Sequence, residues 1–232
     1  MKMLFPLLLA VLTLISCAAR IEGSIAADGS ASVNVNMALG DRMTSLIRSL
    51  SQAGGQTGGP VLDGAVIAQS LANAAAVASA SLVNKTASEV EGQVIISNIN
   101  EFLSAAGRSF IVFEQGSSGG RCVINVDLDN GPLILELLSP EITGYLEALM
   151  APIATGEHMS RNQYLDDVAS VYNRTLSGEI ASSRIRAVID FPGAITSVMG
   201  GAFSGRRANF DIALLDLLVL ETPLTFEVTW SR

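Results

Sequence analysis

The sequence predicts an α+β fold: an antiparallel sheet built from hairpins, with several helices packed on one face. Three observations predict it. Stretches with period-two alternation come in adjacent pairs separated by turn residues, as hairpin strands do. Segments with apolar residues at i, i+3, i+4 and i+7 gather in the middle of the chain instead of alternating with the strands, which argues against a parallel sheet of βαβ units. Charged residues make up 16% of the chain and hydrophobic ones 49%. Soluble proteins usually carry about 25% charged residues, so this chain has a large core or keeps an apolar cavity or patch.

The N-terminus opens with Lys2 and the apolar run Met3–Ile15. That run is too short to cross a hydrocarbon core of about 30 Å, which takes roughly 20 helical residues, and it suits a secretory leader. It ends in Leu14-Ile15-Ser16-Cys17, the pattern of a bacterial lipobox. The expectation is a lipoprotein signal peptide over residues 1–16 and one lipid-anchored domain over 17–232, with Cys17 acylated, by palmitate or a similar chain, as the first mature residue. An ordinary leader with an unrelated cysteine is the alternative. Diacylation or triacylation meets the need for more than one chain in stable anchoring. The formal charge of −8 becomes one unit more negative when Lys2 leaves, and no basic run is present. This excludes nucleic acid and charge-driven docking on anionic headgroups. With Cys17 committed to lipid, Cys122 has no internal partner. It stands in an alternating strand and reads as a small buried hydrophobe.

Ala18 to Leu39 reads as a hairpin around Ala27-Asp28-Gly29-Ser30. Asp41 caps a helix carrying Met43, Leu46, Ile47 and Leu50. Gln52–Pro60 is a glycine-rich loop without the Lys-Ser/Thr of a phosphate cradle. Ala-rich Leu62–Leu82 reads as one helix. Val90–Ser97 and Ser109–Glu114 are strands either side of a short helix at Glu101-Phe102-Leu103, and Arg121–Leu128 returns as a strand. Leu133, Ile134, Leu137 and Leu138 share a helical face. Ser139-Pro140-Glu141 starts a helix whose stripe of Ile142, Tyr145, Leu146, Leu149 and Met150 runs to Pro152. Ser160 with Gln163, and Met159 with Tyr164, start another, facing inward with Tyr164, Leu165, Val168, Val171 and Tyr172. Arg184–Phe191 is a strand, Ala194–Val198 and Ala208–Ile212 a hairpin, Leu214–Leu220 a turn or two of helix, and Leu224–Trp230 the closing strand.

Chemistry is sparse. His158, the sole histidine, reads as solvated, and no Gly-x-Ser-x-Gly elbow exists for a hydrolase. One histidine and one spare cysteine make no transition-metal site. Asp127-Leu128-Asp129-Asn130-Gly131 begins like a calcium loop, but its twelfth position is Leu138 where a bidentate glutamate is required, so it reads as a turn. Glu89 with Glu91 and Arg184 with Arg186 read as solvated pairs. Asn84-Lys85-Thr86 and Asn173-Arg174-Thr175 match glycosylation acceptors that a bacterial protein does not use. Arg206-Arg207 reads as turn solubility. The expectation is no enzyme, no cofactor and no metal.

The lipobox followed by Ile21-Glu22-Gly23-Ser24-Ile25-Ala26-Ala27-Asp28-Gly29-Ser30 resembles the opening hairpin of LppM-type bacterial lipoproteins. Phe191-Pro192-Gly193, Ser197-Val198-Met199-Gly200-Gly201, Asn209-Phe210-Asp211 and the last strand resemble their closing strands. The resemblance spans about a third of the chain, at its two ends, and its motifs are turn patterns. It implies an exported domain with a cavity for envelope lipids. The chain departs from that pattern in its helical middle, Asn130 to Asn173, and in having no C-terminal apolar run of membrane-spanning length.

The combined expectation is a non-catalytic envelope lipoprotein that binds a lipid or other apolar ligand in a cavity between helices and sheet. Leu146, Leu149, Met150, Tyr164, Val168 and Tyr172 are expected to line it, since apolar sites need mostly hydrophobic walls. The alternative is an assembly module that docks an envelope protein through an apolar patch. Ala18 after the cysteine favours the outer membrane, on its periplasmic face or at the cell surface.

Overall fold

The structure, a computed structural model, describes residues 18–53, 58–104, 110–131 and 140–231. The leader, Cys17, the helix predicted over Leu133–Leu138, the Ser139 cap and part of the Gln52–Pro60 loop lie outside the described residues.

Strands β1 (Ala18–Ile25) and β2 (Ala31–Ala38) form the expected hairpin. Its turn is held by Asp28 Oδ1, which accepts from the amide and hydroxyl of Ser30 at 2.9 and 2.7 Å. Gly29 takes φ +84°, a conformation open to glycine without a Cβ penalty. β4 (Glu89–Ile96) pairs antiparallel with β2, and β3 (Val77–Thr86) with β4. On its other side β1 runs parallel to β7 (Arg184–Asp190), which pairs antiparallel with β10 (Arg207–Ala213), and that with β9 (Ala202–Ser204). The result is a seven-stranded sheet in the order β3-β4-β2-β1-β7-β10-β9. Ala19, Ile21, Val33, Val35, Met37, Ile185, Ala187 and Ile212 are buried on one face. The other face is solvated and mostly polar, with Val83 and Ile95 exposed among its charged residues, as alternation on a sheet covered on one side requires. There Arg184 bonds Asp211 at 3.0 Å, Arg207 grips Asp190 through two contacts of 2.9 Å, and Lys85 pairs with Glu91 at 2.5 Å. Glu91 and Arg184 thus sit on the solvated face, paired by neighbouring strands.

A second sheet joins β5 (Ile111–Gln115), β6 (Gly119–Val126), β11 (Leu224–Ser231) and β8 (Ala194–Met199) in the order β5-β6-β11-β8, antiparallel throughout. The fold class is α+β as expected, but the hairpins are divided between two sheets. The predicted hairpin of Ala194–Val198 with Ala208–Ile212 is one casualty. β8 pairs with β11 and β10 with β7, so the chain changes sheets at Met199–Ala202. Gly200 (φ +78°) and Gly201 permit the crossing: a Cβ on either would fall 2.7 Å from the ring of Phe226 or Phe210.

The helices are α1 (Asp41–Ala53), α2 (Gly64–Ala72), α3 (Ile99–Ser104), α4 (Pro140–Ala148), α5 (Pro152–Thr155), α6 (Arg161–Val171), α7 (Arg174–Ser182) and α8 (Leu214–Val219). Leu62–Leu82, read as one helix, is α2 followed by β3. Asn73 closes the helix, Ala76 reverses the chain at φ +59°, and the alternating small residues that follow become a strand. α4 stops at Ala148, short of Pro152. Met150 turns the chain at φ +54°, and Pro152 starts α5 as its first residue. That is the helix position where proline fits best. α7 is not among the helices the sequence predicts, since Asn173 reads there as part of a glycosylation acceptor. Its side chain caps the helix by accepting from Leu176 N at 2.8 Å, and Leu176 and Ile180 bury its inner face.

Asp41 does not cap α1; it is the first helical residue. The cap comes from α7, where the Glu179 carboxylate accepts from Arg42 N at 3.1 Å and Met43 N at 2.9 Å. A carboxylate on the positive end of a helix dipole, satisfying two free amides, stabilises both helices it joins. Glu179→Ala is expected to lower stability by about 1–2 kcal/mol, the range for loss of an N-cap, and Glu179→Gln by less. Urea denaturation checks it.

Candidate functional site

One apolar cluster runs from the buried face of the large sheet into the helices. The second sheet covers the other end of that face and leaves a cavity of about 120 Å³ between the two sheets. Ile21, Val33 and Ile96 line it from the first half of the large sheet, with Ala187, Ile189, Phe210 and Ile212 from β7 and β10. Phe113, Cys122, Ile124, Phe226 and Val228 face them from the second sheet. Ser24, near the β1–β2 turn, supplies the one hydroxyl in the wall, and no charged side chain lines it. α8 closes the end toward the helices with Leu217, and α3 lies along one side with Ile99, Phe102 and Leu103. On the other side the Met199–Ala202 crossover brings Phe210 and Phe226 into an edge-to-face contact at 5.5 Å.

An aromatic cluster abuts the cavity. Trp230, the single tryptophan, is 3% exposed. Its ring lies 5.0 Å from Phe191 and 5.6 Å from Phe113, both of which line the cavity. Gly120 makes room for it, since a Cβ there would come 2.2 Å from the indole. Cys122 is a free thiol on the cavity wall, and burial pushes it up to about 12. A thiol held neutral to that degree is a poor nucleophile at neutral pH, which suits its reading as a small hydrophobe.

The residues expected to line the site lie elsewhere. Leu146, Leu149, Tyr164 and Val168 are buried in the helical part of the core. Met150 sits in the turn after α4, and Tyr172 donates its hydroxyl hydrogen to the Ala148 carbonyl. None of the six lines the cavity between the sheets. Most of those that do are inward positions of alternating strands. Only the pairing of two sheets turns them toward one another. Cys17 lies outside the described residues.

The minor motifs resolve simply. Asp127 Oδ1 accepts from Asn130 N and Asn130 Oδ1 from Asp127 N, a reciprocal turn. His158 is exposed. Arg206 donates to the Phe191 carbonyl at 2.8 Å, and the Arg207 guanidinium holds the Asp190 carboxyl below the usual range. Among the described residues no group of three His, Cys, Asp or Glu could hold a metal ion, and no helix is long and apolar enough to cross a membrane.

Fold and site together define a class: an α+β protein with an apolar cavity between two mostly antiparallel sheets and two short helices. No family model and no curated protein matches the chain. Among solved structures it is similar to the NMR structure of the folded domain of the LppM protein of Mycobacterium tuberculosis. That likeness covers 93% of this chain and 89% of that one at 15% sequence identity, with a TM-score of 0.40, a weak resemblance in fold.

Proposed function

We propose that the protein is an exported lipoprotein, anchored through Cys17, that binds an apolar ligand, a lipid hydrocarbon chain above all, in the cavity between its sheets. The cavity carries this reading. A space of about 120 Å³ left empty in an apolar core costs about 3 kcal/mol at roughly 24 cal/mol per Å³, a penalty that close packing normally removes. A wall with one hydroxyl and no charge rejects polar groups, since burying one without a partner costs about 2–7 kcal/mol. The ligand's polar part therefore stays outside.

Trp230 reports occupancy. With the full chain carrying Cys17→Ser, dibromostearate is expected to quench at least half of the tryptophan fluorescence, and unbrominated stearate is expected to compete. Ala187→Leu fills the cavity and leaves the leader unchanged, so quenching that survives it comes from hydrocarbon held outside the cavity. No quenching beyond that of free tryptophan refutes the reading.

A further inference from the structure

We propose that α3 is the movable wall of the cavity, the element beneath which ligand enters and leaves. The inference rests on the cavity being the binding site, and it concerns the route into that site. At about 120 Å³ the space is smaller than the roughly 300–1,000 Å³ of ordinary ligand pockets, so some part of the wall must give way before a hydrocarbon chain can enter. Most of the wall resists. The sheets are continuous hydrogen-bonded ladders. The side at β8 and β9 is closed by the chain itself as it crosses between sheets, with Phe210 locked against Phe226. The end at α8 is deep core, where Leu217 and its neighbours are buried.

α3 differs from all of these. It is a six-residue helix that belongs to neither sheet. Of the three side chains it turns to the cavity, Phe102 is buried and Ile99 and Leu103 are half-buried, as Phe210 and Phe226 are, so what sets the helix apart is its place outside both ladders. Its start is fixed by Asn98, whose side chain accepts from Glu101 N at 3.1 Å, and by Ile99 N, which donates to the Gly29 carbonyl at 2.9 Å across on the β1–β2 turn. Swinging it outward releases these anchors and uncovers three apolar side chains. Both ladders stay whole. An opening of this kind belongs to the low end of the range of local unfolding free energies.

Cys122 tests the route without any ligand. It lines the cavity and is part-buried there, with its thiol kept protonated, so an uncharged thiol reagent, methyl methanethiosulfonate, modifies it faster whenever the wall opens. The full chain carrying Cys17→Ser leaves it as the single thiol, since the sequence has two cysteines. Asn98→Ala removes the cap of α3 and is expected to speed labelling about five-fold, with dibromostearate entering and leaving faster by a similar factor at nearly unchanged affinity. Phe102→Ala is expected to act more strongly. Glu179→Ala, which loosens α1 far from the cavity, is the control for global unfolding and should leave labelling unchanged. Equal labelling in wild type and Asn98→Ala overturns the gate, as does equal acceleration by Glu179→Ala. Absence of quenching with α3-dependent labelling instead refutes the ligand reading and leaves α3 as the movable wall.

Discussion

Leucine at Ala187 or Ala31 is expected to abolish capture of dibromostearate while raising the melting temperature. Both alanines line the cavity and both are buried, Ala187 at 9% and Ala31 at 7% exposure. Each substitution sends a branched side chain into empty space and regains contacts that the cavity forfeits. Recovering about 1 kcal/mol of the cavity penalty corresponds to a rise of about 2–4 °C in a chain of this size. The opposite signs make the pair of measurements decisive. A structural role predicts gain or loss of stability with no binding to lose, and overpacking predicts loss of both. Ala187→Val, the smaller intrusion, should show the same pattern at lower amplitude. Scanning calorimetry and Trp230 quenching on the same samples read the two effects.

Substitutions at Tyr164 test the helical core against the cavity between the sheets as the ligand site. The Tyr164 side chain is fully buried, its hydroxyl makes no hydrogen bond among the described residues, and burial pushes its pKa above the usual tyrosine range. Tyr164→Ala is expected to destabilise the protein by about 3–5 kcal/mol, as large aromatic deletions do. Tyr164→Phe removes only an unsatisfied hydroxyl, so its stability should fall within about 1 kcal/mol of wild type, on the stabilising side. Capture of dibromostearate by Tyr164→Phe should be unchanged, because the ring does not face the cavity. A loss of capture there would return the site to the helices. Urea titrations and Trp230 quenching supply the readings.

The elements that period and capping reveal were the ones legible in the sequence. The β1–β2 hairpin, the Ser160 cap of α6 and the closing strand stand where Asp28-Gly29-Ser30, Ser160-Arg161-Asn162-Gln163 and the alternation of Leu224–Trp230 put them. Their signals are local, set by side chains within a few residues of the backbone they fix. The misreadings occurred where local signals conflict or are silent. In Leu62–Leu82, alanine favours helix while the spacing of the later residues favours a strand, and pairing with β4 decided for the strand. Gly92 allows that pairing, since a Cβ there would lie 2.0 Å from the Ser81 carbonyl.

By itself the sequence determined the class of fold, the position of most strands and the excess of apolar over charged residues. Each of these follows from composition or from periodicity along a short segment. The tertiary structure alone decided where that apolar surface is left unfilled. β1 joins β7 across more than a hundred and fifty residues of chain, and Met199–Ala202 carries the chain from one sheet to the other. A strand's alternation states which side chains point inward. It holds no information on which other strand they meet, because that depends on contacts between segments far apart in the chain.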